Sequence, residues 1–375
     1  MPGTREPVAK PGDLIEGRYR VVRTLGEGGM GTVFLAEHAL IRRRVAVKIL
    51  HPELAREPQL VERFMHEARA AGTLGHANIV ESTDMGFTHG VPYIVFEYLE
   101  GALLTDEIYR VQGFPVRRAV WIGQQIASAL QAAHAANIVH RDLKSDNVFL
   151  TDKDDALDHV KVLDFGISRF LGLDDEGARG VVMGTPEFMA PEQITAPAQV
   201  DRRADVYALG VILYEMLAAR RPFVGDDTKA LLDRIVHAPV PPLGRDDVPH
   251  GLVELVTARM LAKDPDHRPA SMSEVEMALA AYATQRELGG LRRRTTTLIP
   301  TAGRAMTPGE LGAPVAASEP GEPAGLTSED AVAVVALPPT PVHRQPWLLY
   351  GVAAAGVAVG AVGLVIGLRG EAPSP

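Results

Sequence analysis

A short stretch near the middle of the chain groups side chains that could move a phosphoryl group. Residues 140–147 read H-R-D-L-K-S-D-N, and Asp164 begins the tripeptide D-F-G seventeen residues after Asn147. Asp142 could accept a hydroxyl proton, and Lys144 could meet a transferred phosphate as a point charge. The side-chain oxygens of Asn147 and Asp164 are the hard ligands that Mg²⁺ prefers. Because phosphoryl transfer depends on positioning and charge neutralisation, these residues predict a Mg²⁺-dependent phosphoryl-transfer site.

A glycine-rich segment nearer the N-terminus supplies a second part of such a site. Residues 25–33 read L-G-E-G-G-M-G-T-V and fit the pattern G-x-G-x-x-G-x-V. Missing side chains let backbone N–H groups close over phosphates. Alone, this segment could equally be a glycine-rich hairpin turn. Val45-Ala46-Val47-Lys48 then follows as an apolar strand that ends in a lysine, so the two segments together predict ATP as the phosphoryl donor.

Lys48 needs an acidic partner to hold it beside phosphates, and we predict that this partner is Glu67. The apolar residues around Glu67 repeat at helical spacing and mark a packed face: Phe64, Ala68, Ala71 and Leu74. An exposed helix glutamate is the alternative interpretation of Glu67.

With these motifs in order, residues 18–287 resemble the Hanks-type serine/threonine protein kinases, especially their bacterial membrane-anchored branch. Ala190-Pro191-Glu192, Asp205 and Arg268 extend the resemblance. It implies that Glu192 pairs with Arg268 and that Asp205 braces the catalytic loop. It also implies an α+β, bilobal protein kinase fold. In this fold a β-rich small lobe with one helix and a helical large lobe hold ATP and Mg²⁺ between them.

The resemblance also assigns an adenine pocket, with the apolar segment 91–99 running into the hinge between the lobes. Phe96 would be the gatekeeper, and the backbone of Glu97 and Leu99 would meet the adenine edge. Ordinary core packing is the alternative for any single apolar member of a mostly apolar pocket. The residues expected to contact ATP are Leu25, Gly26, Glu27, Gly28, Gly29, Met30, Gly31, Val33, Ala46, Lys48, Phe96, Glu97, Leu99 and Phe149.

Two positions resemble serine/threonine kinases more than tyrosine kinases, namely Lys144 and the segment 184–187, G-T-P-E. Thr185 is expected to hydrogen-bond Asp142 and Lys144, although it could be only a turn residue. The expected activity is ATP-dependent transfer to Ser and Thr hydroxyls of protein substrates, including autophosphorylation. A membrane-tethered pseudokinase that transfers nothing is the alternative, and the intact catalytic set argues against it.

The segment between Ser168 and Thr185 contains no serine, threonine or tyrosine. Many relatives order this segment when a phosphothreonine pairs with an arginine, which is Arg141 in this chain. Asp174-Asp175-Glu176 could partly replace that phosphate. A solvated acidic loop is an equally good interpretation.

Composition argues against several kinds of partner and site. The net charge of −9 over 375 residues argues against a nucleic-acid partner. With no cysteine there is neither a disulfide nor a thiolate metal site. Residues 1–17 form a predicted N-terminal tail without the apolar stretch of a signal peptide.

The C-terminal part changes character after the catalytic region. Residues 288–346 are rich in Pro, Ala and Thr, which predicts a disordered juxtamembrane linker. Thr295 to Thr297 in this linker are candidate autophosphorylation sites. The alternative is a linker that is not phosphorylated. Residues 347–368 contain no charged residue and predict one transmembrane helix. Because the kinase needs cytoplasmic ATP, we expect the kinase domain in the cytoplasm and residues 369–375 as a short extracytoplasmic tail, too short for a sensor domain. A face of small residues in this helix makes a homodimer possible: Ala353, Gly356, Gly360, Gly363 and Gly367.

Overall fold

A computed structural model describes residues 8–153, 156–164, 186–225 and 227–283. The chain divides into two units, Met1–Leu298 and Ile299–Pro375, and all of the described residues belong to the first. Several predictions therefore concern residues outside the described ranges. These are the position of Thr185, the acidic segment 174–176, the linker 288–346, the membrane span 347–368 and the tail 369–375.

The small lobe is an antiparallel six-stranded sheet with a single helix packed on it. The strand order is β1-β2-β3-β4-β6-β5, and helix α1 connects β4 to β5. A short 3-10 turn, Leu54–Arg56, precedes the helix. The elements are β1 (Leu14–Ile15), β2 (Tyr19–Glu27), β3 (Gly31–His38), β4 (Arg44–Leu50), α1 (Pro58–Leu74), β5 (Ser82–Thr88) and β6 (Val91–Glu97).

Helix α1 has local signals at both ends. Pro58 occupies the first turn, where its missing N–H costs nothing, and the helix ends at Gly75 in the left-handed conformation, with φ of 48°. Its face formed by Phe64, Ala68 and Ala71 is buried against the sheet. This packing supplies most of the helix's stability and fixes which side of the helix faces the cleft.

The residues before Arg18 contribute to this lobe. Leu14 and Ile15 pair with Arg20 and Tyr19, and Ala9 and Ile15 are buried in the same core as α1. The described part of the predicted N-terminal tail is therefore folded onto the sheet.

The large lobe is mainly helical and carries a small sheet of order β7-β8-β9. Helix α5 is its centre, because every residue from Ala204 to Leu217 is buried, as expected for a helix covered on all sides. A π-helical turn, Leu255–Met260, continues α7. The elements are β7 (Gly101–Leu103), α2 (Leu104–Val111), α3 (Val116–Ala135), β8 (Val148–Lys153), β9 (Ala156–Val162), α4 (Pro191–Thr195), α5 (Arg203–Ala218), α6 (Thr228–His237), α7 (His250–Glu254) and α8 (Met272–Ala280).

The two lobes are joined by the hinge after β6 and by a second backbone contact. Val80 donates its N–H to the carbonyl of Val162, and Val162 donates its own to the carbonyl of Asn78, at 3.0 and 2.8 Å. The predicted bilobal α+β fold is confirmed for the described residues. No helix within those residues has the length and apolar character needed to cross a membrane.

Candidate active site

Lys48 reaches the cleft because of the pleat of β4. Val45, Val47 and Ile49 are buried in the core of the small lobe, so the alternating residues Ala46 and Lys48 point to the other face of the sheet. The Lys48 ammonium lies 2.8 Å from Glu67 Oε1 and 3.0 Å from Asp164 Oδ1. One cation therefore links a strand and a helix of the small lobe to the D-F-G segment.

Burial and charge oppose each other at this cluster. Burial acts to lower the pKa of Lys48, but the carboxylates of Asp164 and Glu67 outweigh it, and the net pKa lies above the ordinary lysine value. Burial raises the pKa of Glu67 to about 7, against the effect of Lys48. Asp164 is only partly buried; this burial acts to raise its pKa, but the Lys48 charge holds that pKa below its ordinary value. Lys48 is thus a permanent cation with an ionised Asp164 beside it.

Asp205 holds the catalytic loop, residues 140–147, through hydrogen bonds to its backbone. Its carboxylate is 1% exposed and accepts the backbone N–H of His140 at 2.9 Å and of Arg141 at 2.8 Å. His134 donates from Nε2 to the same carboxylate at 2.7 Å. Arg141 has φ of 62°, a left-handed conformation that costs about 1–2 kcal/mol for a residue with a side chain. The bonds to Asp205 fix this strained turn, and Asp142 follows it directly.

Asp142 and Lys144 emerge from this braced loop on the cleft side. Lys144 Nζ lies 3.4 Å from Asp142 Oδ2, and both side chains are about one-fifth exposed. The carboxylate can accept a proton from a hydroxyl that enters the cleft, while the neighbouring ammonium supplies positive charge. The predicted partner Thr185 lies outside the described residues.

Asn147 is oriented for a metal by its own hydrogen bonds. It ends the 3-10 turn Ser145–Asn147. Its side-chain Nδ2 donates to the carbonyl of Asp142 at 3.0 Å, and its backbone carbonyl accepts the N–H of Leu163 at 2.8 Å. Since the amide nitrogen is used inside the loop, the side-chain oxygen is the atom left for a cation. Asp164 adds a carboxylate that is 47% exposed.

This donor set fits Mg²⁺ held together with a nucleotide. The described residues contain no group of three His, Cys, Asp or Glu side chains that could hold a metal. Mg²⁺ is commonly bound by one or two protein oxygens, with phosphates and water completing its shell. Asn147 and Asp164 match that mode and would hold the ion beside the phosphates of ATP.

The glycine-rich loop, residues 25–33, forms the hairpin between β2 and β3. The N–H of Gly28 donates to the carbonyl of Gly31 at 2.9 Å and closes the turn. A Cβ on Gly31 would lie 2.2 Å from the carbonyl oxygen of Ile49, so the protein itself requires that glycine. A Cβ on Gly26 or Gly29 would meet no atom within 4 Å. The space at those two positions is available to a ligand.

The predicted ATP-contact residues come from both lobes. Ala46 on β4 faces the buried Phe96 on β6, and Leu25 on β2 is 38% exposed. Val33 on β3, Leu99 in the hinge and Phe149 on β8 are partly exposed. Glu27 and Met30 belong to the glycine-rich loop.

Glu97 has a structural role that the sequence did not indicate. Its side chain accepts from the buried Lys161 and from the N–H of Glu81, and its own N–H donates to the carbonyl of Glu81 at 3.0 Å. Lys161 also donates to the carbonyl of Ile79 at 3.2 Å. This network fixes the start of the hinge.

Glu192 and Arg268 form the expected pair deep in the large lobe. Two parallel hydrogen bonds of 2.7 and 2.8 Å join the guanidinium to the carboxylate. The neighbouring Gln193 donates to the carbonyl of Arg141 at 3.1 Å. The pair thus anchors α4, and α4 supports the catalytic loop.

Four residues that hold this site together were not predicted from the sequence: His134, Lys161, Gln193 and His51, whose Nε2 lies 2.9 Å from the carbonyl oxygen of Gly28. Gln193 directly follows the motif 190–192, so its position carried a weak signal, whereas His134 lies on α3, six residues before His140, and carried none. The contacts of His51 depend on strand pairing and that of Lys161 with Glu97 on the association of the two lobes, so neither was readable from the sequence.

The comparisons with known proteins agree with this geometry. The model of the protein kinase domain matches residues 19–279. The chain belongs to the protein kinase family. The kinase is 45% identical over 267 residues, 70% of its length, to the serine/threonine-protein kinase Pkn1 of Myxococcus xanthus. It is 36% identical, over 71% of its length, to the serine/threonine-protein kinase PrkC of Bacillus subtilis. These relatives place it among the bacterial Hanks-type kinases.

A solved structure shows the same fold. The kinase domain of PknI from Mycobacterium tuberculosis is 29% identical, with a TM-score of 0.57 over 73% of this chain and 99% of that domain. The alignments cover only 38% of Pkn1 and 40% of PrkC. The chain therefore spans less than half the length of these curated relatives.

Proposed function

We propose that this kinase transfers the γ-phosphoryl group of Mg²⁺-bound ATP to Ser and Thr hydroxyls of proteins. The observation that carries the proposal is the double ion pair of Lys48 with Glu67 and Asp164. Removing a cation and its carboxylate partners from water costs free energy that their mutual attraction repays only in part. This cluster is therefore better explained by a role in function than by a contribution to stability. It lies where the predicted phosphate-binding loop and the predicted metal ligands converge.

The residues divide the work of transfer between them. Lys48 holds phosphate oxygens as a fixed charge, and Glu67 holds Lys48 in place. Asp142 orients the acceptor hydroxyl and receives its proton, and the ammonium of Lys144 neutralises charge that develops on the transferred group. When bound, Mg²⁺ supplies further charge neutralisation on the phosphates.

The acceptor class is supported by Lys144 two residues after Asp142 and by relatives named as serine/threonine-protein kinases. We extend the proposal to a single-pass membrane protein with a cytoplasmic kinase domain. The support is the uncharged segment 347–368 in the sequence. Autophosphorylation at Thr295 to Thr297 and self-association through the glycine face of that segment belong to the same proposal.

The test compares the full chain with the Asp142→Asn variant. Each is incubated with γ-labelled ATP, Mg²⁺ and a generic protein substrate, and the labelled amino acids are then separated. The proposal expects label on serine and threonine in the wild-type reaction, with loss of labelling in the variant or after chelation of Mg²⁺. Wild-type protein that binds ATP but transfers no label would favour a non-catalytic scaffold, and label confined to tyrosine would refute the acceptor class.

A further inference from the structure

His51 joins three parts of the small lobe that serve the phosphate end of the cleft. It directly follows β4, which carries Lys48, and its side chain is buried, at 4% exposure. Its carbonyl accepts the N–H groups of Leu54 and Ala55, and these residues begin the turn that leads to α1. His51 is therefore held firmly by backbone bonds on its C-terminal side.

The other contacts of His51 go to the tip of the glycine-rich loop. His51 Nε2 lies 2.9 Å from the carbonyl oxygen of Gly28, and the backbone N–H of His51 donates to the carbonyl of Met30 at 2.9 Å. A carbonyl can only accept, so the imidazole must carry its proton on Nε2. The side chain thus donates a hydrogen bond to a specific peptide group of the loop.

This bond has a geometric consequence for the next residue. In a trans peptide the C=O of one residue and the N–H of the next point in opposite directions. With the Gly28 carbonyl turned toward His51, the N–H of Gly29 is turned to the opposite side of the loop. Gly29 is exposed, and a Cβ on it would meet no atom within 4 Å, so a ligand can approach this residue.

A glycine pair needs such a restraint more than other residues do. Glycine populates right-handed and left-handed conformations about equally, so the peptide between Gly28 and Gly29 has little intrinsic preference for one orientation. The Gly28 N–H is already bonded to Gly31, and His51 fixes the peptide on the other side of Gly28. Backbone donors stabilise an anion best when they are oriented before it arrives.

We propose that His51 is a positioning residue for phosphate binding, which holds the Gly28 carbonyl so that the Gly29 N–H is presented to the terminal phosphates of ATP. This rests on the proposed kinase function and assigns a role to a residue outside the motifs. The effect should be specific to the phosphates, since the Gly28–Gly29 peptide is in the loop tip, whereas the residues expected to hold adenine lie on the sheet, in the hinge and on β8 of the large lobe.

The test uses His51→Phe, which keeps a ring but loses the donor, and His51→Gln, whose amide nitrogen can occupy a position similar to Nε2. His51→Asn is polar but too short to reach Gly28, and it serves if the phenylalanine variant folds poorly. His237→Phe is the matched control, because His237 is exposed on α6 in the large lobe. Affinities for Mg²⁺-ATP and for adenosine are measured on the full chain, together with kcat and KM for ATP.

A neutral hydrogen bond of about 0.5–1.5 kcal/mol corresponds to about two- to tenfold. His51→Phe should weaken Mg²⁺-ATP binding or lower kcat/KM by about that factor, while adenosine affinity changes less than twofold. His51→Gln should restore most of the loss, and His237→Phe should behave as wild type.

Equal loss of ATP and adenosine affinity, no loss at all, or failure of glutamine to rescue would overturn the proposed role of His51. If the wild-type protein itself neither binds ATP nor transfers phosphate, the proposed function fails instead. The two failures are therefore distinguishable.

Discussion

Replacement of Arg268 by lysine should destabilise the large lobe strongly even though the charge is kept. The Arg268 side chain is fully buried, at 0% exposure. It donates five hydrogen bonds, two to the carboxylate of Glu192 and one each to the carbonyls of Ala262, Arg203 and Lys263. These use all five N–H groups of a guanidinium.

The size of the effect follows from counting donors. A lysine ammonium has three N–H groups and no planar fork, so at least two of the five buried or partly buried acceptors lose their partner. At about 1–2 kcal/mol for each unsatisfied buried acceptor, Arg268→Lys should cost about 2–4 kcal/mol. Because Glu192 anchors α4, and Gln193 on α4 supports the catalytic loop, kinase activity should fall together with stability.

The assay is urea unfolding of the full chain followed by tryptophan fluorescence, with Arg259→Lys as the matched control. Arg259 pairs with Glu274 at 2.7 Å, but both side chains are more than one-third exposed, so this change should cost no more than about 1 kcal/mol. A loss of 2–4 kcal/mol should lower the urea midpoint by on the order of 1 M. The reasoning is refuted if Arg268→Lys unfolds at the wild-type midpoint, or if both variants lose the same stability.

Three further changes test other parts of the structure. Gly31→Ala should reduce the free energy of unfolding by about 1–3 kcal/mol and so lower the melting temperature, because the new Cβ would meet the Ile49 carbonyl. Gly29→Ala is the control and should leave the melting temperature of the ligand-free protein unchanged. Equal melting temperatures for the two variants would contradict the assigned role of Gly31. Asp205→Ala should lower kcat at least tenfold with ATP affinity retained, because three donors around the catalytic loop lose their acceptor; steady-state kinetics with nucleotide titration checks it. Hydrogen bonds from Arg110 and then Arg118 lower the pKa of Glu107 from 4.5 to about 2, against the effect of burial. The stabilisation from ionised Glu107 is therefore present above pH 4.5 and is lost as the pH falls toward 2. The loss of unfolding free energy in Glu107→Gln should be largest near pH 7 and shrink below pH 4.5. A loss that does not change with pH would disprove the lowered pKa of Glu107.

The elements that the sequence predicted well are those with local patterns. The alternation of β4 and the helical spacing around Glu67 are set by backbone periodicity, so the Lys48–Glu67 contact was predictable before the structure. The motif containing Asp142 and Asn147 is contiguous, so its residues were recognisable from the sequence, whereas its geometry depends on distant contacts with Asp205 and Gln193.

Contacts that depend on strand register could not be predicted in the same way. His51 meets Gly28 only because Gly31 pairs with Leu50, and nothing in the residues around His51 specifies that pairing. Lys161 and Glu97 are 64 residues apart and meet through the association of the two lobes. Likewise β1 is only two residues long, too short to show a periodic pattern, and its burial depends on pairing with β2.

The most direct test of the phosphoryl-transfer mechanism is a single-turnover measurement on wild type and Asp142→Asn, with ATP affinity determined on the same samples. Removing a catalytic base typically costs about 10²- to 10⁴-fold in rate, while the ATP contacts assigned to Lys48, the glycine-rich loop and the hinge do not involve Asp142. The account predicts that the variant binds Mg²⁺-ATP within about twofold of wild type and transfers phosphate at least about 100-fold more slowly. Transfer at the wild-type rate by the variant, or loss of ATP binding in parallel with transfer, would contradict it.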